Sequence, residues 1–267
     1  MHSTFQGSAT GTLERAPDAR HGEAESPAFA APAAAMVFAA GLGTRMRPVT
    51  DAIPKPLVRV GGRTLLDHML DRFAAAGVPR AVVNVHYKGE QIIEHLRGRR
   101  TPSVAVSDER DRLLDQGGGI AKALPLLGEG AFFIANTDAV WIEDGEDAVA
   151  SLRAAWDPAR MDVLLLLARR EGAVGVDWPG DFFLGDDGRL RKRGEGEEAP
   201  FVYAGVGVMK ASLFEPYGQD VFRLAPIFFD AGGRGRLHGL PLRGRWLHVG
   251  RPAAIGEAEE ALAGGGG

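Results

Sequence analysis

The chain has 267 residues, 45% of them apolar, enough for a sizeable core in one large α/β unit or two small ones. With 31 basic against 35 acidic residues the formal net charge is −4, so no overall basic field draws it to nucleic acid or anionic lipid, and any anion site must be local. The absence of cysteine excludes disulfides, thiolate nucleophiles and thiolate metal sites, and suits a reducing compartment.

In chain order, residues 1–33 carry little periodicity and much Ala, Gly, Ser and Pro, which predicts a disordered extension. The stretch AFAAPAAAMVFAAGL (28–42) has A-x-A patterns like those of a secretory signal. It is too short to span a bilayer, follows Glu23 and Glu25, and contains what reads as the first core strand. The resulting expectation is a cytoplasmic protein with no membrane association, and nothing in the sequence points to a protein partner.

From residue 34 onward, strand-like and helix-like segments alternate. AMVFAA (35–40) reads as a buried strand. TLLDHMLDRFAAAG (64–77) reads as a helix capped by Thr64 and stopped at Gly77, with Leu65, Met69, Leu70 and Phe73 on one face. A strand RAVVNVHY (80–87), a helix around Ile92, Ile93 and Leu96, a strand SVAVSD (103–108), a helix over 117–127 opened by three glycines, and a strand AFFIAN (131–136) follow. This series predicts an α/β fold: a mainly parallel sheet flanked by helices, with ligands in the crevice beyond the strand carboxyl ends.

The second half is richer in β-structure. A helix (146–156), a strand (161–169), a hairpin around Asp187-Gly188, a strand (201–210), short helices, strands at 236–242 and 245–250 and a final helix (252–263) precede a flexible tail at 264–267. The sequence has no internal repeat and no hexapeptide array. Residues 34–263 therefore read as one domain, with a first half to about residue 140 and a substrate-side half after it.

The connection GLGTRMRPVTDAIPKP (41–56) sits at the mouth of that crevice. Gly41 and Gly43 allow backbone N–H groups to approach a phosphate chain closely, and Arg45, Arg47 and Lys55 add positive charge nearby. Pro54 and Pro56 restrict the backbone around Lys55 to an extended shape. The stretch is neither a P-loop nor a dinucleotide fingerprint, whose third glycine falls at Met46. A surface loop with solvated cations describes Arg59 and Arg63; it does not account for this clustering.

The pattern G-x-G-T-R-x-x-P-x-T-x-x-x-P-K-P resembles the defining loop of the sugar-phosphate nucleotidyltransferases, matched at Gly41, Gly43, Thr44, Arg45, Pro48, Thr50, Pro54, Lys55 and Pro56. The similarity runs over roughly residues 34–262. The segments at 117–128, 132–141 and 201–208 point within the family toward uridylyl transfer in cell-wall recycling. The resemblance implies a Rossmann-like mixed sheet of the nucleotide-diphospho-sugar transferase type, a nucleoside triphosphate such as UTP and a sugar 1-phosphate as substrates, Mg²⁺ as cofactor, and pyrophosphate as co-product.

By that resemblance, the backbone from Ala40, Gly41, Leu42, Gly43 and Thr44, with the Arg45 side chain, holds the β and γ phosphates. Lys55 neutralises the α-phosphate as it becomes pentacovalent. Asp138, just past the strand AFFIAN, matches the family's metal-binding aspartate. The family usually supplies a second aspartate from a late W-x-D-x-G segment; here RWLHVG places His248 there. His248 has two readings: a metal-site residue whose presence shifts preference toward Mn²⁺ or Co²⁺, puts a water between protein and metal or removes a ligand, or a histidine hydrogen-bonded at the sheet edge with no metal role.

Base and sugar recognition complete the expectation. Gly117 and Gly118 would let a planar base approach the backbone, with Glu109 upstream where related enzymes contact the base; Gln116 stands where they usually have Thr. For the sugar phosphate, the candidates are Asn84, Tyr203, Gly205 and one cation of Arg191, Lys192 and Arg193, taken as Lys192; core or capping roles compete for Asn84 and for His86. Other readings are a guanylyl- or cytidylyltransferase of the same family, and a non-catalytic nucleotide-sugar sensor.

Overall fold

The structure, a computed structural model, describes residues 31–218 and 220–264. The expected N-terminal extension and C-terminal tail lie largely outside these residues. At the boundary, Pro32 is already buried and the last helix runs on to Gly264.

Strand β1 (Ala34–Phe38) is apolar throughout because it is covered on both sides: Ala35 and Val37 enter one core, Ala34 and Met36 another. The chain then forms α1 (Val49–Ala52), a ribbon of β2 (Arg59–Val60) and β3 (Arg63–Thr64), and helix α2 (Leu65–Ala75). Strand β4 (Arg80–Val85), α3 (Gly89–Leu96), β5 (Ser103–Asp108), α4 (Asp115–Leu127), β6 (Ala131–Asn136), β7 (Ala139–Glu143) and α5 (Ala148–Ala155) follow. The remainder is β8 (Val163–Arg169), β9 (Phe182–Leu184), β10 (Leu190–Lys192), β11 (Phe201–Lys210), α6 (Ala225–Gly233), β12 (Leu237–Pro241), β13 (Gly244–His248) and α7 (Ala253–Gly264).

Nine strands make one mixed sheet in the order β10-β9-β11-β6-β1-β4-β5, with β8 on β11 and β12 on β8. Strands β6, β1, β4 and β5 are parallel, whereas β11 runs antiparallel to β6, β8 and β9. Only β11 and β10 oppose the common direction. Helices α2, α3 and α5 cover one face through residues such as Phe73, Ile92 and Leu152, and α4 and α6 cover the other through Ile120 and Ile227. This is the expected α/β architecture.

The chain steps outward from β1 to β4 to β5 and then returns to the opposite side of β1 for β6. The carboxyl ends of β1 and β6 therefore flank a topological switch point, where two loops diverge and leave a crevice. The loop after β1 is 41–56, and the turn after β6 carries Asp138.

Beyond the short α1 and the β2–β3 ribbon, which the sequence reading did not contain, two larger elements differ from it. Helix α4 begins at Asp115 rather than Gly117, which places the three glycines inside its first turns. Strand β7 was not foreseen: it starts two residues after β6 ends, too soon for periodicity to separate the two. It pairs antiparallel with β13, setting His248 opposite Ala139.

Thr64 caps α2, its Oγ1 accepting from the Asp67 N–H at 3.0 Å. Thr64→Ala leaves that N–H unpaired and should lower stability by about 1 kcal/mol, read as a reduced midpoint in urea unfolding with an unchanged slope.

Candidate active site

The crevice at the switch point is a cleft of about 790 Å³. Its centre is the connection 40–45 on one side and Asp138 on the other. Gly43 sits at φ +64°, and a Cβ there would stand 3.0 Å from Thr50 Cγ2 and 3.2 Å from Lys55 Cβ. Thr50 Oγ1 donates to the Gly43 carbonyl at 2.8 Å, and Tyr87 Oη donates to the Thr50 carbonyl at 2.9 Å. Gly43 is thus needed for the loop to fold against its own second half. Gly41 is different: no atom lies within 4 Å of a Cβ built there, so its missing side chain leaves space on the cleft side.

That folding carries Lys55 into the cleft. Its Nζ lies 2.7 Å from Asp138 Oδ2, and both side chains are largely buried. Burial pushes the Asp138 carboxyl upward, but the Lys55 charge and hydrogen bond, together with the positions of His248 and Arg45, hold it below the usual carboxylate value. Asp138 is accordingly ionised at neutral pH. Arg45 lines the same cleft, is exposed, and makes no ion pair among the described residues. Ala40, Leu42 and Thr44 line it as well.

His248 reaches Asp138 through the β7–β13 register, with Nδ1 4.0 Å from Oδ2. Its ring stacks on Trp246 at 5.4 Å and meets Trp178 edge-on at 5.5 Å. Burial lowers its pKa, and Lys55 and Arg45 add to this against the pull of Asp138, so the imidazole is neutral at pH 7. Nδ1 is buried without a hydrogen-bond partner. That orphaned nitrogen removes the support for a hydrogen-bonded sheet-edge role. Among the described residues no group of three or more His, Asp or Glu side chains converges. The donors present suit a hard divalent cation that takes one protein carboxylate and completes its shell from substrate phosphates and water, with His248 beside it.

Tyr203 lines the cleft, and its hydroxyl is buried and unpartnered. Burial raises its pKa far above the usual phenol value and the Asp138 charge adds to that, so it remains a neutral donor.

Other expected residues stand elsewhere or act differently. Asn84 and Glu109 line the cleft floor, where both are buried and hydrogen-bonded: the Ala39 N–H donates to Asn84 Oδ1 at 2.7 Å, and Asn84 Nδ2 donates to Glu109 Oε1 at 2.8 Å. Together they tie the end of β1 to the residues after β5. His86 Nδ1–H donates to the Glu109 carbonyl at 2.6 Å, a capping role. Gly205, at φ +83°, forms the irregularity where β11 passes β8, and a Cβ there would stand 3.0 Å from that of Ala139. Lys192 is a correction: it sits on the outer β10 with Nζ 3.9 Å over the Phe229 ring, outside the cleft. Its neighbours stay away too, Arg191 pairing with Glu197 and Arg193 donating to the Gly180 carbonyl.

Gly117 and Gly118 do not line the cleft; both N–H groups donate to the Phe222 carbonyl, at 3.0 and 3.3 Å. Gln116 does reach the cleft, donating from Nε2 to Asn136 Oδ1 at 2.8 Å.

Several lining residues escaped the sequence reading, among them Trp178, Asp181 and Val221. Trp178 and Asp181 come from the segment before β9, where Asp181 accepts from Trp178 Nε1 at 3.2 Å and the Tyr203 N–H at 2.9 Å. Val221 comes from the segment before α6. Asp181 carried the same signal as Asp138, a carboxylate beside an apolar strand; the other two carried none.

The fold and site together define a nucleotide-transferring α/β protein, and the chain belongs to the MobA-like NTP transferase domain family, whose model matches residues 35–244. It is 48% identical over 237 residues to the N-acetylmuramate alpha-1-phosphate uridylyltransferase of Caulobacter vibrioides, covering 87% of this chain and 98% of that one. It is 34% identical to the protein of the same name from Neisseria meningitidis, covering 86% and 98%. Among solved structures, the inositol-1-phosphate CTP transferase from T. maritima superposes with a TM-score of 0.71 at 19% identity, over 88% of this chain and 96% of that one, a likeness of fold.

Burial raises the Glu109 carboxyl above its ordinary value of 4.5, outweighing the Asn84 hydrogen bond. The folded state therefore binds this proton more tightly than the unfolded state, and the group's contribution to stability declines as pH rises through that window. Glu109→Gln, which abolishes the titration, should gain stability relative to the parent as pH rises from 4.5 toward neutrality; urea unfolding across that range measures the difference.

Proposed function

We propose that the protein transfers a uridylyl group from UTP to N-acetylmuramate α-1-phosphate, releasing pyrophosphate and yielding UDP-N-acetylmuramate, a reaction of cell-wall recycling. The observation that carries the reading is the Lys55–Asp138 pair set against the open loop at the switch point. The choice of substrates is supported by the names of the two relatives at 48% and 34% identity.

On this reading the chain's own groups take the following roles. An oxygen of the sugar 1-phosphate attacks the α-phosphorus of UTP; the bond from that phosphorus to the bridging oxygen breaks, and pyrophosphate departs in line with the attack. The backbone N–H groups of Gly41–Thr44 and the Arg45 guanidinium bind the β and γ phosphates, where charge grows. Lys55 exchanges part of its contact with Asp138 for the α-phosphate oxygens, stabilising the pentacovalent phosphorus. Asp138, with His248 beside it, would hold a divalent cation, Mg²⁺ or Mn²⁺. When bound, this ion neutralises charge on the phosphates. Tyr203 offers its unpartnered hydroxyl to the sugar phosphate.

This reading treats residues 34–263 as one catalytic unit, with the triphosphate held mainly by residues before about 140 and the sugar phosphate by later ones. It retains the expected cytoplasmic location, where nucleoside triphosphates are made. Among the described residues no helix is long and apolar enough to cross a membrane.

Pyrophosphate release measured across the five common nucleoside triphosphates and a panel of sugar 1-phosphates should be fastest with UTP and N-acetylmuramate α-1-phosphate. Lys55→Ala should lower kcat by roughly 10²-fold or more, comparable to losing one preorganised donor. Full turnover by that variant would remove Lys55 from the reaction. His248→Asp, which restores an all-oxygen donor set, should shift the activity ratio toward Mg²⁺ over Mn²⁺. An unchanged ratio and rate would show that His248 has no part in the metal site.

A further inference from the structure

The three successive glycines of α4 are not explained by ligand contact, since Gly117 and Gly118 lie outside the cleft. Their neighbours explain them. A Cβ on Gly118 would fall 2.1 Å from the Asp220 carbonyl oxygen, and one on Gly117 would fall 2.8 Å from the Phe222 carbonyl oxygen and 2.3 Å from its ring. A Cβ on Gly119 would stand 2.8 Å from Glu109 Oε1 on another side. The first two glycines thus serve a backbone clamp between α4 and residues 220–222.

The clamp is hydrogen-bonded in both directions. The Phe222 carbonyl takes the N–H groups of Gly117 and Gly118, and the Phe222 N–H donates to the Leu114 carbonyl at 3.3 Å. Tyr217 stacks on the Phe222 ring from outside at 4.7 Å. Between the two clamped residues, Val221 is half exposed, at 50%, and its exposed surface borders the cleft beside Leu113 and Gln116. An exposed valine fixed by its neighbours' backbone has no evident packing role.

The sheet order fixes which end of the cleft this is. The phosphate loop after β1 and Asp138 after β6 occupy the middle. Trp178, Tyr203 and His248 lie toward β11 and β13, while Leu113, Gln116 and Val221 lie toward α4, on the β5 side of the phosphate loop. A triphosphate held at the middle would have its nucleoside on one side and the incoming sugar on the other; with the unpartnered Tyr203 hydroxyl taken for the sugar phosphate, the α4 end is left for the base.

We propose that Val221, clamped over the α4 end of the cleft, is a specificity-determining residue for the nucleobase, admitting the single ring of a pyrimidine and obstructing the double ring of a purine. This rests on the nucleotidyltransferase reading and adds to it the residue that sets the base class. The wall cannot withdraw toward α4, because main-chain atoms already meet where glycine leaves room for nothing more. Moving it outward breaks three backbone hydrogen bonds. Base width is therefore set by a side chain of fixed position, and a rigid wall discriminates shape where a mobile one does not.

The test uses Val221→Gly and Gly118→Ala in the full chain. Dissociation constants for UTP and GTP are measured by calorimetry without sugar phosphate, and kcat/KM for each by pyrophosphate release. The parent should favour UTP, and Val221→Gly should raise the GTP-to-UTP ratio by roughly tenfold, the scale of a small change in an apolar pocket. The KM for the sugar 1-phosphate should stay unchanged. Gly118→Ala touches no ligand but displaces the clamp, and should move the same ratio in the same direction.

A parent that prefers GTP, a ratio unmoved in Val221→Gly, or an effect confined to the sugar 1-phosphate would overturn the assignment. If the parent binds nucleotides selectively but releases no pyrophosphate with any pair, the catalytic reading fails while the binding ratios still decide the role of Val221. Circular dichroism of both variants checks folding, and a half-exposed valine costs little core when removed.

Discussion

The contact on which the site depends is the ion pair between Lys55 and Asp138. It joins the two loops that diverge at the switch point, and it does so in a largely buried setting where an unpaired charge is costly. The lysine and the carboxylate satisfy each other there, and the neighbouring positive charges keep Asp138 ionised. Its position follows from the sheet, since the return of β6 to the free side of β1 is what separates the loops.

Around that pair, glycine serves three different ends. Gly43 allows the loop to fold onto Thr50 and bring Lys55 inward; Gly41 leaves open space; Gly117 and Gly118 allow a distant segment to dock on α4. Only the second resembles the usual account of a glycine in a phosphate loop. The distinction is physical: a left-handed backbone or a main-chain contact below van der Waals distance demands glycine for the fold, while the open Cβ position of Gly41 places no such demand and leaves its backbone uncovered on the cleft side.

The polar groups show a similar division. Asn84 and Glu109 satisfy each other and the backbone, so they brace the floor, whereas Tyr203 Oη and His248 Nδ1 are buried without partners. Buried polar atoms without partners carry an uncompensated desolvation cost; among the described residues six side-chain atoms are in that state, and these two are the ones that stand at the cleft. Burial alone would not have separated the two pairs; hydrogen bonding does.

Much of this was legible in the sequence because it is local. Apolar runs and helix periodicity located most elements, Thr64 announced its cap, and the loop at 41–56 carries its glycines, cations and prolines within a few turns of chain. Asp138 was singled out by its place after a strand together with the family resemblance. What the tertiary structure decided involves residues far apart in the chain, beginning with Lys55 and Asp138, separated by 83 positions. The β7–β13 register brought His248 to Asp138, the outer position of β10 removed Lys192, and the docking of residues 220–222 gave the glycines of α4 their purpose. Side-chain type and spacing determine local conformation and the chemistry on offer. Strand pairing and docking decide which of those groups meet, because that depends on burying apolar faces across the whole sheet rather than on any one segment.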